Sequence, residues 1–235
     1  METKLKQTFA VDPVYKQMTL DYNIKDSLIA IGLYILVVFT YLGMGIVHNE
    51  RGLYLGFPVN ILLIIICIVF VFIRRQKLSS VGLTIKNFKK SLLLGLVTGI
   101  FFSLLNIIPA LLAGGRWKLG FGQLIYYIFY YFVIISFQEE ILFRSYIQTR
   151  LYGWIKSDTV SVGFCGVLFA LMHVPFQLYN RSVGNLIVFL ANNFTWLLMT
   201  FTWHIVFNYL YKKYNSLIAP VICHGIMNLS SMFFV

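Results

Sequence analysis

The stretch QLIYYIFYYFVIISFQEEILF, Gln123 to Phe143, decides how this chain is read. Its only charged residues are Glu139 and Glu140, and Arg144 follows directly. A run of ~20 mainly apolar residues, rising 1.5 Å per residue as a helix, crosses about 30 Å of hydrocarbon. Ionisable side chains inside such a run are expensive and mark function by default. The chain is otherwise poor in acid, with 8 Asp and Glu against 19 Lys and Arg in 235 residues. The glutamate pair therefore needs a reason to be there.

Working outward, 59% of the residues are hydrophobic, 17% aromatic and only 11% charged, whereas soluble proteins carry about a quarter charged. The composition implies an all-α polytopic transmembrane bundle, a single membrane domain over residues 1–235. Residues 1–26 read as a polar cytoplasmic tail, without the pattern of a cleavable signal peptide. Cys67, Cys165 and Cys223 lie in apolar segments and are odd in number, which argues for buried thiols rather than a disulfide framework. The net charge of +11 lies in short loops, where membrane orientation explains it better than nucleic acid does. No nucleic-acid partner is expected.

The 20-residue ruler gives about seven spans, with six to eight allowed: 27–47, 57–73, 91–113, 123–143 with a helical continuation, 159–174, 184–211 and 216–235. With this count 15 of the 19 Lys and Arg fall on one side, including Arg74, Arg75, Arg150, Lys156, Lys212 and Lys213. The other side keeps Arg51, Arg116, Lys118 and Arg181. Cytoplasmic loops are the basic ones, so the N-terminus is expected in the cytoplasm and the C-terminus outside. Splitting the sixth segment at Asn192 and Asn193 would weaken that asymmetry, and it is kept whole.

Helical neighbours lie three or four residues apart, so Glu140 and Arg144 share a face while Glu139 turns ~100° away. Arg144 is then expected to hold Glu140 as scaffold. Phe169 and His173 share a face of the fifth segment, and Pro175 places the imidazole near a helix break. His224 and Asn228 form an i, i+4 pair on the last segment. A similar pair, His204 and Asn208, reads as packing. From an interface near Arg150, Asp158 and Asn215, helical rise puts Glu139, His173, His224 and Asn228 at about 16, 22, 14 and 20 Å. One carboxylate, two imidazoles and an amide thus converge on one layer.

A glutamate beside a histidine in a poorly solvated site suits a general base acting on water. An imidazole and an amide on another helix offer two donors to a developing oxyanion. Glu139 with His173, and His224 with Asn228, fit those roles in the hydrolysis of an amide. No cofactor is expected. A zinc version would draw on Glu139, His173 and His224, although no His-Glu-x-x-His helix is present.

The same residues resemble the CPBP family of CAAX proteases and bacteriocin-processing enzymes, also called Abi proteins. Glu139-Glu140-Ile-Leu-Phe-Arg144 is similar to its Glu-Glu-x-x-x-Arg motif, Phe169-Ala-Leu-Met-His173 to its Phe-x-x-x-His, and His224-Gly-Ile-Met-Asn228 to its closing His-x-x-x-Asn. The catalytic motifs occupy 121–235. The resemblance implies an intramembrane endopeptidase in which the first glutamate and first histidine activate water and the last His and Asn hold the oxyanion. The sixth segment departs from it, with Phe201-Thr-Trp-His204-Ile-Val-Phe-Asn208 where the family has small residues.

The sequence therefore reads as a glutamate-dependent peptidase of the bacterial cell membrane, with its site open toward the cytoplasmic half. A peptide or small membrane protein is the expected substrate and the lipid bilayer its surroundings. A non-enzymatic immunity protein that binds a toxin, and a transporter with a carboxylate proton relay, stay open as alternatives.

Overall fold

A computed structural model describes residues 10–180 and 185–234. The tail residues Lys4 and Lys6, together with Arg181, Gly184 and Val235, lie outside the described residues. The chain is an all-α polytopic bundle. In order it forms α1 (Pro13–Leu20), α2 (Ile24–Arg51), α3 (Gly56–Ile73), α4 (Phe88–Leu112) and the long composite α5 (Phe121–Leu151). Then follow α6 (Asp158–Met172), α7 (Val174–Asn180), α8 (Leu186–Asn192), α9 (Phe194–Tyr214) and α10 (Ile218–Ser230).

Among the described residues, five helical segments are long and apolar enough to cross a membrane: α2, α3, α4, α5, and α6 run on through α7 to Tyr179. A sixth exists only if α8 and α9 count as one span, for they bend by 70° between Asn192 and Phe194. The unbroken sixth span expected from sequence is thus corrected to a broken one. Asn193 sits at the break, where its side chain donates to the Phe189 carbonyl at 2.8 Å instead of extending an apolar run. The expected seventh span is corrected as well. α10 has 13 residues, which at 1.5 Å each cover about 20 Å and do not cross the hydrocarbon alone.

The ends of α2 are set by local chemistry. Asn23 and Asp26 form a reciprocal capping box at its start, and Gly52 closes it in the left-handed conformation with φ 66°, which glycine adopts without strain. Asp26 also pairs with Arg74 at 3.0 Å, joining α2 to the end of α3.

The two ends of the bundle differ in kind. At the basic end the fully buried Arg150 guanidinium donates to the Ser80 and Ser145 carbonyls at 3.0 and 2.8 Å and to Gln76 at 2.6 Å. Asp158 accepts from both Lys212 and Tyr152 there. Within the expected polar tail, α1 closes the same end by seating Tyr15 against Tyr152 and Tyr211. Burial pushes the Tyr15 phenol well above its ordinary range. The opposite end is aromatic. Tyr54 and Tyr130 share a hydrogen bond of 2.8 Å, and Trp117 packs on Phe233 with ring centroids 4.8 Å apart.

Candidate active site

The site begins with a stripe of small residues. Ser91, Gly95, Gly99 and Ser103 recur every fourth position on α4 and are all buried, a spacing that lets helices approach closely in a membrane. A Cβ on Gly95 would meet the Ala219 carbonyl oxygen at 2.7 Å, and one on Gly99 the Cys223 Cα at 3.1 Å. The Ala219 amide donates to Ser91 Oγ at 3.1 Å. α10 is thereby pressed onto α4, and its His224 reaches α5.

The carboxylates come from α5, which is not a uniform α-helix. Tyr130–Ser136 and Glu140–Ile147 are π-helical, so their hydrogen bonds span five residues rather than four and the turn widens. Widening changes which side chains meet. Glu140 Oε1 lies 2.8 Å from His224 Nδ1 and 3.2 Å from Arg144 Nη1. Glu139 lies 3.8 Å from His173 Nε2 through Oε1 and 3.9 Å from His224 Nε2 through Oε2. The expected pairing of Glu140 with Arg144 is present. The expected separation of the glutamates is not, since both address His224.

Arg144 is fully buried, and its guanidinium carbon stands 3.8 Å above the Phe169 ring and 5.1 Å from that of Phe207. Its nitrogens make no well-aligned hydrogen bond. An ion pair reinforced by two aromatic faces therefore holds it. Phe169 also meets the His173 ring edge-on at 5.0 Å, and its carbonyl lies 2.8 Å from His173 Nδ1.

Those contacts fix both imidazoles. A carbonyl and an ionised carboxylate only accept, so Nδ1 carries the hydrogen in His173 and in His224; the tautomers follow from these acceptors. Each Nε2 then faces Glu139. Separations of 3.8 and 3.9 Å are too long for a direct hydrogen bond and suit a bridging water.

A cavity of about 560 Å³ opens beside this cluster. Glu139, His173, His224 and Asn228, the four residues expected in one layer, all line it. It extends past Trp203 toward Asn106 and Ser231, near the aromatic end. The sequence expectation is a site open toward the cytoplasmic half; the residues lining this cavity lie away from the basic end. Every residue of α5 from Gln138 to Leu151 is buried, so packing blocks approach from the basic end.

His204 and Asn208 behave as packing, as expected: both are buried, and His204 Nε2 lies 3.4 Å from Gln148 Oε1. Sequence reasoning missed Phe207, which stacks on His224 at 4.7 Å with the rings 19° apart, and Trp203 in the cavity wall. Their signal was the aromatic run at 201–208. The three cysteines are free and buried. Among the described residues no group of three or more His, Cys, Asp or Glu side chains is arranged to hold a metal ion.

Fold and site together define a multi-pass helical membrane protein with a carboxylate and imidazole cluster facing a cavity between its helices. Residues 121–230, just under half of the chain, match the family described as type II CAAX prenyl endopeptidase Rce1-like, so that segment is similar to the CAAX proteases. A 97-residue stretch is 32% identical to the UPF0177 protein YxdF of Lactococcus lactis subsp. lactis. That match covers 41% of this chain and 43% of the relative, so the chain matches less than half of the relative's length. No solved structure matches the chain.

Proposed function

We propose that the chain is a glutamate-dependent intramembrane endopeptidase of the cell membrane, hydrolysing a peptide bond in a membrane-associated peptide or small membrane protein. One observation carries this reading: Glu139 faces the Nε2 atoms of two histidines, at 3.8 and 3.9 Å, in the wall of a cavity. The gap fits one water.

In the proposed step Glu139, assisted by His173, takes a proton from that water as its oxygen bonds to the carbonyl carbon. The carbonyl π electrons move to oxygen, and His224 Nε2–H with the Asn228 amide donates to the oxyanion. The C–N bond then breaks, Glu139 returns its proton to the leaving nitrogen, and the carboxylic acid and amine so formed exchange one further proton to leave as carboxylate and ammonium. Because Nδ1–H of His224 is committed to Glu140, Nε2 donates only from the imidazolium. Two carboxylates, the Arg144 guanidinium and that imidazolium sum to zero charge, which a low-dielectric site favours. General-base catalysis contributes about 10²- to 10⁴-fold and an oxyanion donor about 10²- to 10³-fold.

The test uses purified protein and internally quenched peptides, with and without a farnesyl group. Cleavage by the wild type and its loss in folded Glu139→Gln and His173→Ala are expected. A binding or immunity function that survives both substitutions overturns the reading.

A further inference from the structure

Glu139 and His173 line a second cavity, of about 160 Å³, on another side. Among the described residues they alone are common to its walls and those of the larger cavity, so the pair forms the partition. The larger cavity is built from α4, α9 and α10 and is rich in aromatic side chains, with Trp196, Trp203 and Phe207 in its wall. The smaller is built from α2, α3 and α7, and it presents Tyr41, Tyr54, Asn60 and Gln177.

The polar groups of the smaller cavity are organised. Tyr41 lies within 3.0 Å of Asn60 Oδ1 and 3.3 Å of the Gln138 amide oxygen. A phenol donates only one hydrogen, so one of the two amides must present its NH2 edge instead. Tyr41, Asn60 and Gln138 are all buried, and the Gln138 amide atom turned away from Tyr41 has no hydrogen-bond partner. Nothing in the packing of an apolar bundle requires such a group beside Glu139. A polar cavity holds a water once it offers about 10–15 Å³ and two to four partners. At about 160 Å³ this one has room for several.

We propose that the smaller cavity is the water side of the site: it stores and delivers hydrolytic water to Glu139 across the face opposite the peptide, with Tyr41 and Asn60 as positioning residues. The inference rests on the hydrolytic reading above. Each bond cut consumes one water, and a peptide seated in the larger cavity covers that approach. A separate polar cavity resupplies Glu139 without release of the peptide.

Two measurements test this, and the first needs no catalysis. Ile135 lines the smaller cavity one turn before Glu139, whereas Val133 is exposed on the apolar surface of the same helix. In proteoliposomes, Ile135→Cys is expected to react with a charged methanethiosulfonate above the wild-type background. Val133→Cys is expected to react only with a lipid-soluble maleimide. Reaction of Ile135→Cys with the maleimide alone overturns the water cavity even if no peptide is ever cleaved.

The second measurement separates rate from binding. With an internally quenched peptide cut by the wild type, Tyr41→Phe and Asn60→Leu are expected to lower kcat about 10- to 100-fold, the scale of a misplaced reactant, with KM unchanged. Asn60→Gln, which keeps the amide, is expected to recover part of the rate. A rise in KM at constant kcat overturns the positioning role. Absence of cleavage by the wild type sinks the hydrolytic reading itself, and the labelling result distinguishes that failure from failure of the cavity.

Discussion

Glu140 stands 2.8 Å from His224 Nδ1 while also pairing with Arg144 at 3.2 Å, so the second glutamate orients the imidazole that Glu139 faces. This contact predicts a positioning role for Glu140 beyond scaffold. Glu140→Gln keeps the shape and one acceptor but strands the buried Arg144 charge, so it is expected to unfold at lower temperature and, assayed well below that temperature, to lower kcat about 10²-fold by removing the charge that supports an imidazolium. Glu139→Gln should cost more. Peptide cleavage beside thermal unfolding in detergent checks both, and an unchanged kcat in Glu140→Gln would return that residue to a structural role.

Arg144 has no exposure, and its partner Glu140 has none either. Removing one member of such a pair strands the other charge, at a cost of about 3–5 kcal/mol. Arg144→Met is therefore expected to unfold at markedly lower temperature. Arg144→Lys should rescue little, since an ammonium cannot lie flat between Phe169 and Phe207 as the guanidinium does. Near-wild-type unfolding of Arg144→Lys would show that charge alone suffices.

The face joining α4 to α10 predicts a contrast among glycines. A side chain at Gly95 or Gly99 meets backbone on α10, while Gly163 has nothing within 4 Å. Gly95→Val is expected to destabilise by about 1–3 kcal/mol, the range for overpacking, and to displace His224, so that activity falls with it. Gly163→Ala should be silent. Equal behaviour of the two variants would sink the argument that this stripe seats the site.

Much of this was legible in the sequence, and the failures have physical causes. The apolar runs from Phe57 to Ile73 and from Ser91 to Ala113 fall within one to three residues of α3 and α4, because uninterrupted hydrophobicity and flanking charge mark a span. The convergence of Glu139, His173, His224 and Asn228 was readable from helical rise. The partners of Glu139 and Glu140 were not. A 3.6-residue periodicity assumes α geometry, and no residue between Tyr130 and Ile147 announces a π turn. The break at Asn193 was visible as two asparagines, but the charge asymmetry of an unbroken segment outweighed them. Tyr41, Asn60 and Gln138 stayed hidden because three segments far apart in sequence bring them together.

Dependence on metal separates the glutamate mechanism from its zinc rival. Exhaustive chelation of the purified protein is expected to leave peptide cleavage at its starting rate, since Glu139 and His173 supply the base themselves. Loss of activity on chelation, followed by recovery on adding zinc, would transfer the chemistry to a metal held by Glu139, His173 and His224.

The last prediction concerns which side of the membrane the peptide meets. Lys and Arg crowd the end formed by Arg74, Arg150, Lys156 and Lys212, and such an end stays in the cytoplasm. The larger cavity runs the other way, toward Asn106 and Ser231. Together these predict a mouth in the outer half of the bilayer, with the scissile bond nearer the outer than the cytoplasmic surface. Ser231 and Lys86, both exposed at opposite ends, report on this. Ser231→Cys is expected to react with a charged thiol reagent added to intact cells, and Lys86→Cys only after lysis. The reverse pattern would invert the bundle and bring the cavity mouth to the cytoplasm, because the position of the cavity relative to the basic end is set by packing and not by orientation.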